Sequence, residues 1–177
     1  HTLVFDMLAA GPGREWDEAA FEPVVDGLYD ENLHTVIDAA ETAFDLILGG
    51  SKEAEQAILP ELLGIVRSRK QPALSSALNV LHNLLYAGVE LPEQAWRRLC
   101  RAMAELLSAT DYEKNCGSEA QIKRCISARS CGANLAFQMH LYCKRRGLEV
   151  PREILGWKEL CAGSEFAEVR RQWIGEL

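Results

Sequence analysis

The chain has 177 residues, 48% hydrophobic and 25% charged, a composition ordinary for a globular protein of one domain. No apolar run approaches the roughly 20 residues that a bilayer crossing needs, which argues against a membrane protein. The net charge of −7 hides an asymmetry: residues 1–61 hold 14 acids against two bases, whereas residues 62–177 hold 12 acids against 17 bases.

Residues 3–10 read as a short packing helix stopped by Gly11-Pro12-Gly13. Asp17 is placed to cap the next helix, in which Phe21, Val24, Val25 and Leu28 form an i, i+3, i+4, i+7 stripe. Pro23 lies inside that stretch and is expected to kink it. After an Asp30-Glu31-Asn32 turn, a helix over 33–48 carries Val36, Ile37, Ala40, Phe44, Ile47 and Leu48 as its expected core stripe, and Gly49-Gly50 ends it.

Ser51 is read as the cap of the third main helix, with Ala54, Ile58, Leu62, Ile65 and Val66 inward and Pro60 at a bend. Pro72 opens a helix that carries Leu74, Ala77, Leu78, Leu81, Leu84 and Leu85 up to Gly88. Pro92 opens another, with Trp96, Leu99, Cys100, Met103, Leu106 and Leu107 at core spacing. A polar break over 111–117 precedes a long helical stretch from Ser118 to Gly147, where Ile122, Ile126, Ala133, Phe137 and Leu141 recur inward. Pro151 starts a short helix through Trp157 and Cys161, and a last one spans about 165–173. Period-two alternation is missing throughout, so the expected class is all-α.

The chain also repeats itself at an offset of 37 residues. Laying Pro23 on Pro60 sets Gly27 on Gly64, Ile37 on Leu74, Ala40 on Ala77, Phe44 on Leu81 and Ile47 on Leu84 without a gap. A period of this length, each unit holding two helices, is the mark of a stacked helical array with an extended binding surface. The clearest units are 17–50 and 53–88, and 91–147 and 151–173 follow as degenerate pairs. One domain over 1–177 is expected, a right-handed array of about four antiparallel helix pairs.

With Pro23 and Pro60 at the bend of each first helix, and Phe166 with Glu168-Val169-Arg170 as a Val-Arg element, the units resemble HEAT-like repeats. That resemblance implies a non-catalytic binding scaffold whose second helices line the inner surface. Regular Asp and Arg ladder positions are lacking, so the likeness is one of architecture. At the level of fold, small acidic all-α chains of this kind also resemble bacterial immunity proteins, which neutralise toxin domains.

The 33–48 helix carries Asp38, Glu41 and Asp45 along one line. On an inner surface they make an acidic groove for an Arg- or Lys-rich partner, extended near the turn by Asp26, Asp30 and Glu31. The corresponding line of the next unit is Ser76, Asn79 and Asn83, with His82 and Tyr86 beside it, a polar, uncharged surface of the sort found within interfaces. Asn134 and Gln138 are weaker candidates for its continuation. A plain solvated helix face remains the bland alternative for each line.

The six cysteines contain no CxxC, and Cys125 and Cys131 on one helix point about 120° apart, which suits buried reduced thiols better than a zinc site. Reduced thiols in turn suggest the cytoplasm. The four histidines form no metal pattern and no nucleophile accompanies them, so neither a cofactor nor catalysis is expected. Lys144-Arg145-Arg146 suits a helix C-terminus.

The expected function is therefore inhibition of a toxin or effector domain with a basic surface, by occlusion of its active site. An adaptor or regulatory domain of a larger assembly is the first alternative. A nucleic-acid-binding HEAT-like protein is the second, opposed by the acidic first unit, which repels phosphate.

Overall fold

A computed structural model describes residues 18–109 and 118–161. The expected elements at 3–10, 111–117 and 165–173 and the Asp17 cap lie outside them. The described residues are all-α, with a short 3-10 helix (Glu18–Phe21) and seven α-helices: α1 (Glu22–Leu28), α2 (Leu33–Leu48), α3 (Lys52–Ser68), α4 (Ala73–Tyr86), α5 (Glu93–Ala109), α6 (Glu119–Arg146) and α7 (Arg152–Cys161). They fall into two compact units divided after Val89. None of these helices is long and apolar enough to cross a membrane.

The first unit is punctuated by local chemistry. Asn32 caps α2, its Oδ1 accepting from His34 N at 2.9 Å, while Asp30 Oδ1 accepts from Asn32 N at 2.6 Å. Gly50, at φ +83°, takes the left-handed turn after α2, and Ser51 Oγ then accepts from Ala54 N at 3.1 Å to open α3. Pro23 departs from the expected kink. It occupies the first turn of α1, where no N–H is needed, and the break falls before it as the change from 3-10 to α geometry. Pro60 does lie inside its helix.

Within this unit α2 packs on α1, α3 and α4, and α3 packs on α4 and on the 3-10 helix. The α3 and α4 stripes are buried as expected, Leu59, Leu63, Ala73 and Val80 joining them. In α2 the covered face is different: Val36, Ala39, Ala40, Ala43, Leu46 and Ile47 are buried, while Ile37 and Leu48 are exposed and Phe44 is half-buried. Small residues let neighbours approach closely on that face; a Cβ at Gly27 would come within 2.8 Å of the Ala39 Cβ. Thr42 is buried there too, because its hydroxyl donates to the Asp38 carbonyl at 2.8 Å.

In the second unit α7 packs against both α5 and α6, which also touch each other. The 28-residue α6 runs unbroken, and residues 135–139 are buried in succession, so more than one full turn is covered on every side. Gln138 is among them at 6% exposure, which removes it from the polar surface it was expected to extend. Ile126 is exposed, contrary to its expected core position. On the flank, Trp96 stacks on Tyr142 at 4.7 Å and the Arg146 guanidinium lies 5.3 Å above the Tyr142 ring. Arg146 also pairs with Glu90 at 2.6 Å, holding that carboxyl below its usual range.

Candidate functional site: a groove between α2 and α4

α2 packs on α4, and between them runs a groove of about 580 Å³. Its floor is apolar, built from Leu33, Ile37, Ala40 and Phe44 of α2 with Val80 of α4. Leu33 and Ile37 are 51% and 38% exposed, so part of this apolar floor is open to solvent. The α2 wall carries Glu41 and Asp45, and the α4 wall carries Ser75, Ser76, Asn79 and Asn83. Two acidic and two amide side chains expected from the sequence thus line one cavity, facing each other across an apolar floor.

Asp38 does not line the groove. At about 100° per residue it lies some 20° from Asp45 around the helix and about two turns before it. Among the described residues Asp38, Glu41 and Asp45 have no ion-pair partner, and no Lys or Arg lines the groove. Asp26, Asp30 and Glu31 are exposed but do not line it either, and Asp30 is engaged in the turn that starts α2. His82 and Tyr86 flank the far end without lining it. Their rings stack at 6.3 Å, Tyr86 is 72% exposed, and His82 Nδ1 is 3.0 Å from Asn83 Oδ1, which orients that amide.

Ile37 and Phe44 are the site residues that sequence reasoning assigned elsewhere. Both fit a core stripe, and nothing in the sequence distinguishes a covered apolar residue from one flooring a groove. Near the foot of this unit, Tyr29 Oη donates to Glu61 Oε2 at 2.8 Å, and burial with the adjacent carboxylate pushes the phenol up to about 12.

Cys100, Cys131, Cys143 and Cys161 are not in disulfides, and no group of three or more His, Cys, Asp or Glu among the described residues is arranged to hold a metal. No protein-family model, curated protein or solved structure matches the chain, so the role of the groove has to be derived from its own chemistry.

Proposed function

We propose that this protein is a non-catalytic scaffold that binds a protein partner with a basic surface through the α2–α4 groove. The observation that carries the proposal is the pair Glu41 and Asp45, unpaired among the described residues, above an apolar floor and with no cation lining the groove. Carboxylates held beside apolar surface favour Arg and Lys, which bring both charge and an aliphatic stem. The same charge disfavours nucleic acid.

The packing of α2 on α4 and of each on its preceding helix is what stacked HEAT-like pairs require, and we extend it to a right-handed array of about four pairs. The specific role we propose is inhibition of a toxin or effector domain in a bacterial cytoplasm, the acidic face occluding a basic active site. An adaptor would use the same groove without blocking its partner's activity.

The test is co-purification with the protein encoded beside this one, followed by replacement of Asp38→Lys, Glu41→Lys and Asp45→Lys together. All three side chains are exposed, so the helical circular-dichroism signal and the melting point should barely change. Affinity should fall by roughly 100-fold as attraction turns to repulsion. Unchanged affinity would remove the proposal.

A further inference from the structure

We infer, building on that reading, that the groove takes an extended segment of its partner, about five residues long, with apolar side chains alternating with Lys or Arg. The dimensions come first. Leu33 and Asp45 mark the ends of the α2 side, and twelve residues of helix rise about 18 Å. An extended segment covers that length with about five residues at about 3.4 Å each.

The walls match a strand in register as well. Asn79 and Asn83 stand four residues apart on α4, about 6 Å along the axis, and Glu41 and Asp45 have the same separation on α2. Residues i and i+2 of a strand are about 6.8 Å apart and present their N–H and C=O to the same side. A guest lying along the groove therefore turns the backbone of alternate residues toward the two asparagine amides. Asn79 and Asn83 each carry an amide that can both donate and accept.

The intervening residues turn both N–H and C=O toward Glu41 and Asp45; these carboxylates are acceptors only, so they bond the N–H groups and leave those carbonyls to water. Side chains then point alternately down and up. Those pointing down meet Ile37, Phe44 and Val80 and must be apolar. Those pointing up emerge beside the two carboxylates, where cations are favoured. A helical guest has its own backbone bonds satisfied and would leave the amide wall without a role.

The experiment measures fluorescence anisotropy with the full chain and two labelled probes. One is the pentapeptide Val-Arg-Val-Arg-Val, acetylated and amidated; the other is a 14-residue amphipathic helix-forming peptide with three arginines on one face. Saturable binding of the pentapeptide, tighter than that of the helical peptide, is the expected result. Asn79→Ala with Asn83→Ala should weaken it by roughly tenfold through the lost backbone bonds. Glu41→Gln with Asp45→Asn should weaken it similarly and flatten its salt dependence.

Tighter binding of the helical peptide, or indifference to the asparagine substitutions, would overturn the extended-segment inference while leaving charge-dependent protein binding in place. Failure of both probes to bind overturns it too. The scaffold reading falls separately, by the charge-reversal measurement on the intact partner.

Discussion

The benzo ring of Trp157 closes on the bare Cα of Gly132: a Cβ built there would lie 2.9 Å from Cζ3 and 3.1 Å from Cζ2. The indole cannot retreat, because its Nε1 donates to the Met103 carbonyl at 2.9 Å and the side chain is wholly buried. One residue of α7 is thus keyed into α6 and tethered to α5. Gly132→Ala gains about 1 kcal/mol of helix propensity but sets a methyl against a fixed ring, which costs about 1–3 kcal/mol. Since the ring is held, overlap should win and the second unit should lose stability in chemical denaturation. The loss should shrink in a Trp157→Leu background, where the ring is gone. Equal losses in both backgrounds would mean that the two residues do not act on each other.

Tyr29 and Glu61 tie the end of α1 to α3. Burial first, then the hydrogen bond and the charge of Glu61, raise the phenol from 10.0 to about 12. The fold therefore favours the neutral form. Its contribution is present below pH 10 and is lost as pH rises toward 12. A spectrophotometric titration at alkaline pH should show one phenol ionising near 12, and Tyr29→Phe should remove that step. Complete phenol ionisation well below pH 12 in the folded protein would contradict the arrangement.

Cys100 is expected to be inert in the native state. Burial, with smaller contributions from Cys143 and Glu153, pushes its thiol up to about 12, and burial raises Cys143 as well. At pH 8 the thiolate fraction of Cys100 is then on the order of one in 10,000, which should slow alkylation by roughly 10³ against a free cysteine. A short iodoacetamide pulse read by peptide mass spectrometry should label the half-buried Cys131 before Cys100, Cys143 or Cys161. Early labelling of Cys100 would show that its site opens to solvent.

Several helix boundaries were legible because they are written in local chemistry: the turn ending at Asn32, Ser51 as a cap, Gly50, Gly88 and Gly147 at positive φ, and Pro151 before α7, whereas the capping role of Asn32 itself was not read. The 37-residue offset sets α2 on α4, and these two helices pack together. What could not be read was which side of α2 would be covered. Its apolar positions wrap most of the cylinder, and periodicity favours the large residues Ile37 and Phe44 over Ala39 and Ala43. Packing decides otherwise, because the closest approach, at Gly27, admits only a small side chain. Likewise Asp38 sits in line with Asp45 yet does not line the groove.

That division between floor and core makes a final prediction. Ile37 is 38% exposed in the groove floor, whereas Leu81 is wholly buried and aligned with Phe44 in the repeat. Ile37→Ala removes side-chain surface that is already partly in water and should cost about 1 kcal/mol or less. Leu81→Ala leaves a cavity and should cost about 2–5 kcal/mol. Binding should invert the order: Ile37→Ala should weaken partner affinity, while Leu81→Ala, measured where the protein remains folded, should leave it within about twofold. If Ile37→Ala destabilised the fold as much as Leu81→Ala, residue 37 would belong to the core and the groove would lose its floor.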